Sequence, residues 1–90
     1  MDKIRYHIIF RGRVQGVGFR FTARQIARRF GACGWVMNMP DGSVSAVIES
    51  SQSVLSSVLQ ELKGVFRNNI TDIEIVEGPV EGSSGFEVRY

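Results

Sequence analysis

The sequence predicts an α+β fold, with two helices laid on one face of an antiparallel sheet. Three observations carry this. Short segments whose apolar residues alternate with polar ones occur near both ends of the chain and in its middle. Two longer segments with apolar residues at helical spacing lie between them. Clusters of Gly, Pro, Asn, Asp and Ser fall where one period gives way to the other.

The first strand is expected over residues 3–11, where Ile4, Tyr6, Ile8 and Phe10 share a face. A glycine-bearing loop follows, and then a helix over residues 19–30. Its stripe is Phe19, Ala23, Ile26, Ala27 and Phe30, and Gly31 suits the position just past its end. A second strand over residues 33–38 runs into Met39-Pro40-Asp41-Gly42, a hairpin turn in which Pro presets φ and Gly accepts positive φ. The third strand, residues 43–49, points Val44, Ala46 and Ile48 to one side. Ser50, Ser51 and Ser53 offer an N-cap to a second helix, whose stripe is Val54, Leu55, Val58, Leu59, Leu62 and Phe66. A fourth strand is expected over residues 72–77, and a short extra strand over residues 86–90 closes the chain. The order β-α-β-β-α-β is that of the ferredoxin-like split β-α-β arrangement, which seats the first and third strands together mid-sheet. The end of the second strand, at Asn38, then comes near the glycine-bearing loop.

Ninety residues, 43% hydrophobic and 22% charged, fit one globular domain spanning 1–90. One cysteine, Cys33, excludes an internal disulfide and points to a reducing, cytoplasmic setting. No apolar run reaches the length of a membrane span, and no secretory leader is evident, so no membrane association is expected. No long unmatched apolar stripe asks for a partner, so a monomer is expected. The net charge of +2 is too small to imply a polyanionic partner. Its distribution says more: residues 11–29 hold six arginines and no acid, a local field suited to small anions.

That field centres on residues 12–20, Gly-Arg-Val-Gln-Gly-Val-Gly-Phe-Arg. A glycine-bearing loop feeding a helix N-terminus can turn successive backbone N–H groups inward, a concavity suited to phosphate. Arg20 follows where its guanidinium fork can clasp two oxygens of the same group. A cation in a first helical turn opposes the helix dipole, and Arg20, Arg24 and Arg28 stand at repelling i, i+4 spacing, so a bound anion would relieve both. Asn38 has two readings: a strand-end residue that starts the turn, or an amide that orients a water molecule. The lone histidine, His7, reads as a solvated sheet residue, Cys33 as a small packing residue, and Asp41 as a turn former and not a general base. No His, Cys, Asp or Glu cluster has metal-ligand spacing, so no metal or other cofactor is expected. The glycines match neither the P-loop nor the dinucleotide fingerprint.

Over essentially its full length the chain resembles the acylphosphatase family. Residues 12–20 look like that family's phosphate-loop signature. Gly34-Trp35-Val36-Met37-Asn38, followed by Asp41-Gly42-Ser43-Val44, looks like its second signature, and Phe86-Glu87-Val88-Arg89-Tyr90 like its closing strand. The resemblance implies metal-free hydrolysis of an acyl phosphate to a carboxylate and inorganic phosphate. It also implies phosphoryl binding by Arg20 and by the backbone N–H groups of Val14, Gln15, Gly16, Val17, Gly18 and Phe19, with Asn38 positioning the attacking water. Ser45 departs from the pattern, standing where an acid is frequent after the Asp-Gly-x-Val turn, and so does Met37, where a polar residue is frequent.

Two other readings compete. An RNA-binding module would share this element order but stack bases on aromatics of the two central strands, and the third strand has none. A non-catalytic anion-binding domain, like the acylphosphatase-like modules of larger maturation enzymes, would bind phosphate without releasing it. The chain reads instead as a stand-alone enzyme, with Phe21-Thr22 and no proline after Arg20.

Overall fold

A computed structural model describes residues 2–90. The elements are β1 (Ile4–Gly12), α1 (Phe19–Arg29), β2 (Cys33–Asn38), β3 (Val44–Ser50), α2 (Gln52–Val65), β4 (Ile70–Gly78) and β5 (Phe86–Arg89). They build one five-stranded sheet in the order β4-β1-β3-β2-β5, with β1 and β3 inside as expected. The pairs β1–β3, β1–β4 and β2–β3 are antiparallel.

β5 alone differs. It runs parallel to β2, pairing Gly34 with Phe86 and Met37 with Arg89, so the expected antiparallel sheet becomes mixed at this edge. The reason lies in the connection. β4 and β5 occupy opposite edges, so residues 79–85 must cross the sheet before the last strand begins. They cross on the face away from the core, over Glu49. Its carboxylate accepts the backbone N–H groups of Glu81 (2.7 Å), Gly82 (3.1 Å) and Ser83 (2.7 Å), and the Arg5 guanidinium at 2.9 Å. Alternation along β3 puts Glu49 opposite Ile48 and therefore toward water, yet it is 1% exposed because this connection covers it. The Glu81 N–H foremost, then Ser83 and Arg5, hold the carboxyl well below the usual 4.5, at about 2, against the opposing pull of burial.

The core lies between the sheet and the helices. Tyr6, Ile8 and Phe10 of β1, Val36 of β2, and Val44, Ala46 and Ile48 of β3 meet Phe19, Ala23, Ile26 and Ala27 of α1. Leu55, Val58, Leu59 and Leu62 of α2, with Phe66 just past its end, complete it. Phe19 anchors the start of α1, its ring 4.9 Å from Phe10 and 4.8 Å from Phe66. Truncating a buried phenylalanine of this kind costs about 3–5 kcal/mol, because transfer and cavity terms add. Ser51 is the N-cap of α2 and accepts the Val54 N–H at 3.3 Å, so the serine-rich start works as expected. No helix among the described residues is long and apolar enough to cross a membrane.

Candidate active site

The loop between β1 and α1 is fixed at both ends and in its middle. At its base Gly12 has φ +121°, and a Cβ there would land on the Asn69 carbonyl oxygen. The Arg13 N–H donates to that oxygen at 2.8 Å, and the Asn69 amide returns a bond to the Arg13 carbonyl at 3.0 Å. Val14 is buried and pins the middle of the loop to the core. The Gln15 side-chain amide donates to the carbonyls of Met39 (2.7 Å) and Ser43 (2.8 Å), tying the loop to the β2–β3 turn.

The second half of the loop is left free to bend inward. Gly16 and Gly18 take left-handed φ values of +76° and +79°. Gly18 is also the N-cap of α1, and no side chain caps the helix there. An α-helix cannot satisfy its first N–H groups internally, and α1 has no acidic residue in its first turn to engage them. The result is a set of backbone donors backed by the positive end of the helix dipole.

The loop and the start of α1 border a cleft of about 200 Å³ lined by Val14, Gly16, Gly18, Phe19, Arg20, Phe21, Arg24, Asn38, Val88 and Tyr90. Arg20 projects from the first turn of α1. Its guanidinium donates to the Arg89 carbonyl at 3.2 Å and lies 4.7 Å from the centre of the Tyr90 ring. Asn38 reaches the cleft because Val44 pairs with it on one side and with Phe10 on the other, placing the end of β2 beside the start of the loop. Arg20 and Asn38 therefore line one cleft, together with the loop residues Val14, Gly16, Gly18 and Phe19. Gln15 and Val17 do not line it: the Gln15 side chain turns to the β2–β3 hairpin, and Val17 stands exposed on the loop.

The sequence model of the acylphosphatase family matches residues 6–88. An acylphosphatase of Haloarcula marismortui is 41% identical over 91 aligned residues, covering 100% of both chains. One from Thermococcus kodakarensis is 39% identical over 89 residues, 98% of each chain. The chain belongs to the acylphosphatase family. The crystal structure of the acylphosphatase from Bacillus subtilis has the same fold, with a TM-score of 0.87 at 35% identity over 97% of this chain and 99% of that one.

Against this acylphosphatase background the charges of the cleft are one-sided. Its lining holds two arginines and no Asp, Glu, His, Cys or Lys. The nearby turn residue Asp41 accepts from the Ser43 hydroxyl at 2.6 Å and the Ser43 N–H at 2.9 Å. Those two bonds, the hydroxyl first, hold its carboxyl below the usual carboxylate range, so it stays ionised as a turn former. His7 lies exposed on the far face of the sheet and shares a 2.7 Å hydrogen bond with Ser45, outside the cleft. Ser45 thus has a partner of its own. Among the described residues no three His, Cys, Asp or Glu side chains gather in a group that could hold a metal ion.

Sequence reasoning did not place three features of this cleft. Val88 and Tyr90 line it because β5 runs parallel beside β2, which four strand residues do not reveal. The side chain of Gln15 acts as a strap, where only its backbone N–H was expected to matter. Arg24 faces the same cleft as Arg20, and here a signal existed, since i, i+4 spacing puts two residues on one helix face.

Proposed function

We propose that this chain hydrolyses the carboxyl–phosphate bond of acyl phosphates, giving a carboxylate and inorganic phosphate without a metal ion. The observation that carries this is the meeting of Arg20, Asn38 and the glycine-bent loop around one cleft whose lining holds no Asp, Glu or His side chain. In this mechanism the loop N–H groups and Arg20 hold the dianionic phosphoryl group and balance charge on its equatorial oxygens. The Asn38 amide orients a water molecule in line with the scissile bond. The water oxygen bonds to phosphorus, the bond from phosphorus to the acyl oxygen breaks, and the carboxylate leaves with that electron pair. A carboxylate is a stable leaving group and needs no general acid. The water proton passes to a phosphoryl oxygen of the substrate, consistent with a lining that holds no Asp, Glu or His side chain. Residues 1–90 act in this scheme as one domain and one monomer, in the reducing cytoplasm that a lone free cysteine suits, and without nucleic acid.

The test is hydrolysis of benzoyl phosphate in EDTA by the wild type, Arg20→Ala and Asn38→Ala, each checked for folding by circular dichroism. Charge-assisted hydrogen bonds are worth about 1.5–3 kcal/mol each, so losing a two-pronged clasp at Arg20 is expected to lower kcat/KM by roughly 10²–10⁴. Asn38→Ala is expected to lower kcat with little change in KM. A folded wild type that binds phosphate but releases none from benzoyl phosphate would instead identify a regulatory anion-binding domain. A pH–rate profile that follows an enzyme group and not substrate ionisation would refute the proton path.

A further inference from the structure

The mechanism above gives Arg24 no part in holding the phosphoryl group, yet it lines the same cleft. It follows Arg20 by one turn of α1, so it stands about 6 Å farther from the helix N-terminus where the phosphoryl group is expected. The two cations that flank it on this face of α1 are engaged by backbone carbonyls: Arg20 by Arg89 at 3.2 Å and Arg28 by Phe86 at 3.1 Å. Among the described residues the Arg24 guanidinium has no hydrogen-bond partner and lies 5.2 Å from the centre of the Phe21 ring. Among the described residues no carboxylate lies within 4 Å of its guanidinium, whereas Arg5, Arg11, Arg29 and Arg89 each have at least one. Like charges at i±4 oppose helix formation, and this helix keeps them without an internal counter-charge. The cleft that Arg24 shares with the loop is also lined by Phe21, 55% exposed, with Val88 and Tyr90, a surface suited to an apolar linker.

We infer that Arg24 is a second anion subsite at the acyl end of the cleft, and that the preferred substrates are acyl phosphates whose acyl part carries its own carboxylate. This rests on the acyl-phosphate reading above. The phosphoryl group sits in the loop, the acyl chain runs out along α1 over Phe21 and Tyr90, and the distal carboxylate meets the Arg24 fork, for which a planar two-oxygen acceptor is the best fit. Arg24 makes no contact with the reacting atoms and acts through substrate choice alone.

Two substrates that differ by one group test this: benzoyl phosphate and 3-carboxybenzoyl phosphate. The readout is the ratio of their kcat/KM values, the carboxylated over the plain, so a general loss of activity in a variant cancels. The ratio is expected to fall about tenfold in Arg24→Gln, mainly through a higher KM for the carboxylated substrate. Arg24→Lys, which keeps the charge but not the fork, should retain part of the preference. In the wild type the ratio should fall as salt is raised, a variant-free measure that does not depend on either substitution folding. An unchanged ratio in folded Arg24→Gln, or a wild-type ratio indifferent to salt, overturns the subsite while hydrolysis of benzoyl phosphate leaves the acyl-phosphate reading standing. A wild type that hydrolyses neither substrate overturns both.

Discussion

Replacing Glu49 with glutamine keeps the shape of the side chain and removes its charge, which isolates what that charge does under the 79–85 connection. The carboxylate accepts three backbone N–H groups and faces Arg5 while almost wholly buried. Glutamine can supply one accepting oxygen, but its NH2 group then points at donors. Glu49 titrates at about 2 in the folded chain against an ordinary 4.5, and each pKa unit corresponds to about 1.4 kcal/mol, so the ionised group contributes about 3 kcal/mol. Because the folded value is the lower one, that contribution is complete above the unfolded pKa. It is lost as pH falls from about 5 toward 2, where the folded protein also takes up the proton. Glu49→Gln should therefore cost about 3 kcal/mol at pH 7, roughly 12–24 °C in Tm for a domain of this size. At pH 3 the difference from wild type should be about 2 kcal/mol smaller, since the native carboxyl is by then losing its advantage. Urea unfolding followed by the fluorescence of the single tryptophan, Trp35, measures both values. A stability gap of the same size at pH 7 and pH 3 would refute the reasoning, because it would mean that packing and not charge holds the connection.

Two further substitutions probe the parts that place the site. Gln15→Ala cuts both bonds between the phosphate loop and the β2–β3 turn, so it should lower kcat/KM for benzoyl phosphate by about tenfold while costing only about 1–3 kcal/mol of stability; equal kinetics in the variant would show that the loop holds its shape without the strap. Gly34 has φ +142°, and a Cβ there would be driven into the Val47 carbonyl, so Gly34→Ala should destabilise by more than 3 kcal/mol in urea unfolding, and a loss under 1 kcal/mol would contradict the close β2–β3 approach.

The parts of this fold set by local chemistry were legible in the sequence. Phe19, Ala23, Ile26 and Ala27 repeat at helical spacing and do form the buried stripe of α1. β2 spans Cys33–Asn38, the stretch expected between Gly31 and the Pro40 turn. The nearness of Asn38 to the phosphate loop was also legible, because it follows from strand order once β1 and β3 are central. What was hidden depends on contacts between distant segments. A four-residue strand has too little pattern to say which edge it joins or in which direction, so the parallel pairing of β5 had no local signal. Glu49 alternates with Ile48 and so faces away from the core, and the connection that buries it is supplied by residues 81–83, far along the chain. Tyr90 gave no hint of packing on Arg20 for the same reason.

The order in which the cleft is written along the chain matters during synthesis. The phosphate loop, Arg20, Arg24 and Asn38 are all translated early, whereas Val88 and Tyr90 come 50 or more residues after Asn38. At roughly 5–20 residues per second, about 3–10 s separate the two. β5 is missing throughout that interval and β4 until residue 78 is made, and Arg20 lacks the carbonyl and the ring that hold it. A partly made chain thus carries the phosphate loop, Arg20, Arg24 and Asn38 but not the strand that steadies them, and activity is expected to switch on only once β5 has docked.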